Sequence, residues 1–221
     1  MYAKYFKRVL DFTLSLMALI VLSPVLLILV LLVRFCMGTP VIFRQKRAGR
    51  NKTEFDLYKF RSMTDARDEN GNILPDSQRM CRFGIWLRST SLDELPELFN
   101  ILRGDMSVVG PRPLLMKDMA FLSGELIRRW EVRPGLTGLA QVNGRNALSW
   151  EDKLNTDIEY VRCLSLRLDA QILVRTAAKV LISDNVEYEG SNAEADYGDF
   201  LLESGKITRA EYDAVKKEFH M

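Results

Sequence analysis

Between Asp11 and Arg34 the chain carries 22 consecutive uncharged and mostly aliphatic residues, Phe12 to Val33, with Ser23-Pro24 at their centre. As a helix rising about 1.5 Å per residue, such a run extends roughly 33 Å, enough to cross a hydrocarbon core of about 30 Å. The segment therefore belongs in lipid. It is longer than the apolar core of a secretory signal, about 7–15 residues, and no small-x-small cleavage pattern follows it, so it is expected to stay in the mature protein. Pro24 removes a backbone donor and frees the Ile20 carbonyl, an expensive loss in an apolar medium, while the Ser23 hydroxyl can bond a carbonyl one turn back, around Leu19. A kink is the minimum consequence. The arms hold 11 residues (12–22) and nine residues (25–33), each reaching about half the ~30 Å core. Two arrangements are thus open: a kinked span, the more common case, and a re-entrant hairpin. Lys4, Lys7 and Arg8 precede the run, and Arg34, Arg44, Lys46 and Arg47 follow it. The positive-inside rule places both flanks on the cytoplasmic side, which only the re-entrant form satisfies.

The formal net charge of +2 hides a division along the chain. Residues 184–221 hold ten acidic and four basic residues, against 19 acidic and 27 basic in the first 183. A basic body suggests phosphates, nucleic acid or a membrane surface as partners. The single histidine is His220, beside the C-terminal residue, which argues against a Ser-His-Asp triad, a Cys-His pair and an H-E-x-x-H zinc helix. Cys36, Cys81 and Cys163 are too few and too widely spaced for a zinc cage or a disulfide framework, and they read as buried or incidental thiols in a reducing compartment. G-x-G-x-x-G, a Walker A ending and Asp-x-Asp are all absent. Nucleic acid is not an expected partner, since no recognisable module is present.

Along the body, Val41–Gln45 and Phe55–Phe60 read as two short strands around a basic turn, Lys46–Asn51. Asp65–Ser77 is a polar loop, a short helix starts near Ser91 and ends at Gly104, and an amphipathic stretch, Met116–Trp130, separates the loops Gly110–Pro113 and Arg133–Gly138. Helices follow at about Trp150–Cys163, capped by Ser149 with Asp152 at N3, and at Leu168–Ile182. The second has the pattern of a core helix or of one lying in a membrane interface.

The stretch Ser89–Asn100 is the most informative for chemistry. Ser91 and Glu94 have capping-box spacing, whereas Pro96 favours Asp93 as the N-cap. Either choice puts Asp93 and Glu94 at a helix N-terminus, where the macrodipole favours ionised carboxylates and free amides can hold a phosphate. Paired carboxylates also suit Mg²⁺, which takes one or two of them with waters and phosphate oxygens. The bland alternative is simple capping. Around the pair stand Lys59, Arg61, Arg88 and Arg112, the last fixed between Pro111 and Pro113, and the run Gln141–Arg145, in which Gln141, Asn143 and Arg145 offer groups for a base or ribose. Arginine grips phosphate bidentately, and prolines lower the entropy lost in positioning it.

These residues resemble a known family. Lys7-Arg8-x-x-Asp11, Ser23-Pro24, Val41-Ile-Phe-x-Gln45, Tyr58-Lys-Phe60, Ser91–Pro96, Asn100-Ile-Leu-x-Gly-Asp-Met-Ser107, Val109–Pro113 and Arg133–Arg145 are similar to the bacterial sugar transferases, the monotopic phosphoglycosyl transferases, over about residues 4 to 183. The compact form is most similar to the type acting on diacetylbacillosamine. The resemblance implies an α+β fold: a re-entrant membrane helix-break-helix, then a small, mainly helical catalytic domain with a short β-hairpin and amphipathic interface helices. It implies that Asp93 attacks a UDP-sugar, releasing UMP and holding a covalent phospho-sugar, which polyprenyl (undecaprenyl) phosphate then takes up to start glycoconjugate assembly. Glu94 and Mg²⁺ assist, Asp93 and Glu94 being the metal ligands, with Arg88 and Arg112 as phosphate clamps. Lys7, Arg8 and Asp11 secure the cytoplasmic start of the membrane segment and Ser23-Pro24 forms its break, on the cytoplasmic face of the bacterial inner membrane. A different class of function, a membrane-anchored scaffold for anionic lipid or protein, stands as the alternative.

The tail departs from the family pattern. Phe200–Phe219 resembles a short helical C-terminal hairpin, with Thr208 and Glu211 at capping-box spacing, able to contact a protein partner or a second copy, or to be a solvated tail. The expected division is thus a membrane hairpin (1–36), a transferase domain (37–183), an acidic linker (184–199) and a helical module (200–221).

Overall fold

The computed structural model describes residues 2–144, 148–182 and 196–218, so most of the expected linker lies outside the described residues. A short π-helical turn, Tyr2–Phe6, leads into α1 (Lys7–Val21), and α2 (Ser23–Met37) follows at a bend of 66°. No single described helix is long and apolar enough to cross a membrane, whereas this bent pair qualifies by length and composition. Both helices are apolar outside, and the start of α1 is polar inside. Lys7, Asp11 and Ser15, one turn apart, are buried, while Phe12, Leu16, Ile20, Leu27 and Leu31 are exposed. A water-soluble amphipathic helix has the opposite arrangement. The Ser23 hydroxyl donates to the Ile20 carbonyl at 2.8 Å, one residue beyond the expected Leu19. Ile20 is the carbonyl that Pro24 leaves without its helical donor.

Each polar residue at the start of α1 has a fixed partner. Lys7 Nζ lies 2.5 Å from Asp169 Oδ2. Arg8 donates to the Ile101 and Leu102 carbonyls at 2.6 and 2.8 Å, and Asp11 accepts from the Ser107 hydroxyl and the Val108 amide. The other end is held by packing, with Leu29, Val33 and Met37 buried against Phe60 and Leu87. Both ends of the pair therefore rest on the same body.

β1 (Ile42–Ala48) pairs antiparallel with β2 (Glu54–Phe60), from Ile42 opposite Phe60 to Ala48 opposite Glu54. The expected turn at Lys46–Asn51 falls later, at 49–53, with Asn51 and Lys52 left-handed. Pairing continues through Lys46 because the facing strand supplies Glu54 and Asp56 at 2.9 and 3.1 Å from its ammonium. α3 (Asp76–Arg79) and α4 (Arg82–Ser89) come next, then α5 (Glu97–Arg103), which Gly104 closes at φ 98°. β3 (Ser107–Val109) runs parallel to β4 (Gly135–Thr137). The expected amphipathic stretch is split between α6 (Met116–Met119) and a 3₁₀ segment, Gly124–Glu131. α7 (Leu139–Asn143), α8 (Trp150–Cys163) and α9 (Leu166–Ile182) complete the family-like region, and the Ser149 hydroxyl caps α8 by accepting from the Asp152 amide. In α9, Ile172 is buried while Val174 and Val180 are exposed, so the helix has both a core face and an apolar outer face.

α10 (Tyr197–Glu203) and α11 (Arg209–Glu218) form the C-terminal hairpin, which starts three residues before the expected Phe200. Thr208 and Glu211 cap α11 reciprocally. The architecture is α+β, with the hairpin and the helical body packed around four apolar clusters among the described residues.

Candidate functional site

Asp93 and Glu94 sit on a single 3₁₀ turn, Leu92–Glu94, between a left-handed Ser91 (φ 55°) and Pro96, the residue before α5. Neither expected cap forms: Ser91 makes no side-chain cap bond, and Pro96 occupies the N-cap position of α5. Pro96 starts the helix beyond the acidic pair, so the macrodipole of a seven-residue helix is not what sets their charge. Burial and neighbouring charges do.

The two carboxylates live in different surroundings. Glu94 Oε1 lies 2.7 Å from Lys59 Nζ and 2.9 Å from Arg112 Nη2. Although burial opposes its charge, Arg112 and Lys59 hold its carboxyl well below the usual carboxylate range. Asp93 is buried, and among the described residues no hydrogen bond or ion pair fixes its carboxylate. Burial, and then the charge of Glu94, push it up to about 6, against the pull of Lys59, Arg88 and Arg112. A carboxylate of this kind is ionised at neutral pH and more basic than an ordinary aspartate.

Lys59 reaches the cluster from β2, where it faces Phe43 of β1. Arg88 arrives on α4, with its Nε bonded to the Ser62 hydroxyl at 2.8 Å. α4 comes this close through Gly84, where a Cβ would stand 2.1 Å from the Ser62 carbonyl oxygen. Arg112 is presented by a loop whose consecutive carbonyls are each held by a different element. The Pro111 carbonyl accepts from the Gly135 amide at 2.9 Å, that of Arg112 from Arg129, that of Pro113 from Arg47 at 3.2 Å, and that of Leu114 from the Ala48 amide at 3.1 Å. Arg129 is itself buried and paired with Asp157 at 2.8 Å.

Asp93, Glu94, Lys59, Arg88 and Arg112 are thus brought together. The expected base or ribose subsite is not joined to them by any hydrogen bond among the described residues: Gln141 donates to the Leu136 carbonyl, Asn143 accepts from Arg175, and Arg145 lies outside the described residues. Arg61 is structural, bonding the Thr39 and Met63 carbonyls. Sequence reasoning passed over Glu97, which is buried with Oε1 3.4 Å from Lys59 Nζ; burial and Glu94 push it up to about 7. Its signal was position, one turn past Asp93 on a lysine-facing element. Asn100 was quoted only as part of a motif, yet its buried amide accepts from the Tyr58 amide and donates to the Asp56 carbonyl, completing the outer edge of β2.

Residues 2–183 match the family model described as bacterial sugar transferase. The chain belongs to this family. It is 48% identical over 181 residues to the "Uncharacterized sugar transferase EpsL" of Bacillus subtilis, covering 82% of this chain and 90% of that protein. It is 37% identical over 194 residues to the "Exopolysaccharide production protein ExoY" of Rhizobium meliloti, covering 80% and 86%. It is also 39% identical over 189 residues to the "UDP-glucose:undecaprenyl-phosphate glucose-1-phosphate transferase" of Klebsiella pneumoniae, covering 80% of this chain but only 40% of that longer relative. As a sugar transferase, the chain is an enzyme, which sets aside a purely scaffolding role.

Proposed function

We propose that this sugar transferase moves a sugar 1-phosphate from a UDP-sugar to polyprenyl phosphate through a covalent intermediate on Asp93. The observation that carries the proposal is the division of labour in the carboxylate pair: Glu94 is held by two cations, while Asp93 is buried among cations without a fixed partner. The name of the Klebsiella relative supports the same substrate classes. An Asp93 oxygen attacks the sugar-bearing phosphorus, the new O–P bond forms as the pyrophosphate P–O bond breaks, and UMP leaves. An oxygen of polyprenyl phosphate then attacks the same phosphorus, freeing Asp93 and giving polyprenyl diphosphate sugar. No group need act as a base, since both nucleophiles are already anionic, and phosphoryl transfer depends chiefly on positioning and charge neutralisation. Arg88 and Arg112 supply that charge.

The donor set fits Mg²⁺ in its usual substrate-bound form. Among the described residues no cluster of three or more ligating side chains forms a dedicated cage, but Mg²⁺ takes only one or two carboxylates with waters and phosphate oxygens. Asp93 and Glu94 would hold it, and it would neutralise phosphate charge. Gln141, Asn143 and Arg145 are assigned to the nucleotide, and the likeness to the diacetylbacillosamine type remains an expectation about the sugar.

In this proposal residues 1–36 are a re-entrant membrane hairpin on the cytoplasmic face of the inner membrane, 37–183 form the catalytic domain, and 184–199 link it to the C-terminal module. The re-entrant form is supported by the 66° bend, by the apolar outer face and by both ends of the pair resting on one body. The acceptor is a lipid phosphate, so a site seated at the membrane meets it where it resides. Detergent-solubilised protein with Mg²⁺, polyprenyl phosphate and a panel of UDP-sugars is expected to release UMP, and mass spectrometry is expected to find a phospho-sugar on Asp93. An Asp93→Asn variant as fast as the parent would overturn the assignment of the nucleophile. Cysteines placed at residues 2 and 40 are expected to react only with cytoplasmic probes; periplasmic labelling at residue 2 would exclude the re-entrant form.

A further inference from the structure

Residues 196–218 fall beyond the 2–183 span of the family match, yet they are built into the body. Tyr197 and Leu201 of α10 are buried in one cluster with Ala48, Leu114, Leu122 and Trp130. Asp118 Oδ1 accepts from the Tyr197 amide at 2.9 Å, Lys117 pairs with Asp196, and Phe121 stacks on Tyr212 with ring centroids 5.8 Å apart. Gly198 lies so close to Phe121 that a Cβ there would stand 2.4 Å from its ring. Most of these contacts fall on the segment that follows Arg112, at Leu114, Lys117, Asp118, Phe121 and Leu122. Leu114 hands its carbonyl to Ala48 and its side chain to the Tyr197–Leu201 cluster, and Asp118 begins the docking of α10.

We propose that α10 and α11 act as an intramolecular clasp that positions Arg112, holding Leu114 and Asp118 against the body and so setting how tightly the enzyme grips its phosphorylated donor. The proposal rests on the reading of Arg112 as a phosphate clamp. An arginine locked between two prolines has little local freedom, so its placement is decided by the anchors at the ends of its loop. β4 and Arg129 hold Pro111 and Arg112, β1 holds the Pro113 and Leu114 carbonyls, and α10 packs on the Leu114 side chain and docks on Asp118. A misplacement of about 1 Å in such a group costs up to roughly a hundredfold in kcat/KM, here expected through KM, so a clasp remote from the chemistry can control it.

The test uses the full chain with Gly198→Val, which drives a side chain into Phe121, and Leu201→Ser as a second variant should the first fail to fold. Without substrate, amide exchange at Leu114–Met119 is expected to quicken by about tenfold or more while α5 and β2 keep their protection. With substrate, KM for the UDP-sugar is expected to rise about tenfold with kcat within about twofold, and the tail substitution to add less than about twofold in an Arg112→Ala background, because both changes act through one group. Unchanged exchange at Leu114–Met119 once α10 has opened would overturn the proposal. So would a tail effect that multiplies in full with Arg112→Ala. A parent that releases no UMP from any UDP-sugar would instead defeat the reading of function, and exchange alone would then decide whether the clasp holds this loop.

Discussion

Two of the groups of buried charges among the described residues, one at the root of α1 and one beneath the Arg112 loop, are built on opposite terms. At the root, Asp169 takes the Lys7 ammonium and the Tyr2 and Tyr160 hydroxyls, and Asp11 takes a hydroxyl and an amide from β3. Each charge is matched by fixed donors, so the group works as a rivet between the bent N-terminal helix pair and the body. Beneath Arg112, three acidic side chains crowd two fixed cations: Glu94 takes most of both, Glu97 has a longer share of Lys59, and Asp93 has no fixed partner among the described residues. The rivet gives each carboxylate fixed donors, whereas the site leaves the buried Asp93 carboxylate without one among the described residues.

The largest expected effect separates the two outright. Asp93→Asn should lower UMP release by about 10³-fold or more, while its Tm stays level or rises, because removing a buried charge relieves a cost. A comparable loss of Tm would make Asp93 part of the frame. Asp169→Asn should do the reverse. It leaves the Lys7 ammonium buried without its counter-charge, a cost of about 3–5 kcal/mol, which for a chain of this size lowers Tm by on the order of 10 °C. UMP release per folded molecule should change little, as measured by kcat on protein held well below its Tm.

The rivet and the site were unequally legible in the sequence. Lys7, Arg8 and Asp11 stood out as charges at the edge of an apolar run, and the Pro-Arg-Pro triplet announced a fixed arginine. Their partners did not stand out, because Asp169, Ser107 and Ile101 lie some 90 to 160 positions away and nothing local distinguishes an aspartate on α9 that meets a lysine on α1. The two strands and the helices at 150–163 and 168–182 can be read from periodicity and caps, the second helix starting two residues earlier in the structure, at Leu166. For the acidic pair, capping spacing suggests a helix N-terminus and its dipole, whereas Pro96 delays the helix and burial governs Asp93. Glu97 was hidden for the same reason, since a glutamate in a first helical turn reads as ordinary.

Titration sharpens the comparison further. Asp93 at about 6 and Glu97 at about 7 lie above their ordinary values of 3.8 and 4.5, so the folded state binds protons more readily than the unfolded one. For Glu97 this cost is absent below about pH 4.5, grows as pH rises towards about 7, and is constant above it. The difference in stability between Glu97→Gln and the parent should therefore grow in favour of the variant across that window, as measured by Tm against pH. UMP release should fall about tenfold per unit as pH drops below about 6, where Asp93 takes up its proton. An acid limb near 4 would mean that burial does not shape the titration of Asp93.

The smallest expected effect belongs to the break itself. Ser23 bonds the carbonyl that Pro24 strands, so the bent helix pair satisfies a polar group of its own backbone, as the rivet does across elements. Such bonds in lipid are worth only about 0.6 kcal/mol on average, because the freed carbonyl finds other donors. Ser23→Ala should then lower Tm by about 1–3 °C, leave UMP release near that of the parent, and keep residues 2 and 40 on the same side in labelling. The bend would survive because Pro24 and the two anchored ends impose it together. If Ser23→Ala instead moved residue 2 to the periplasmic side, the geometry of the hairpin would depend on one hydroxyl, and the rivet at Lys7 and Asp11 would be too weak to decide on which side the chain begins.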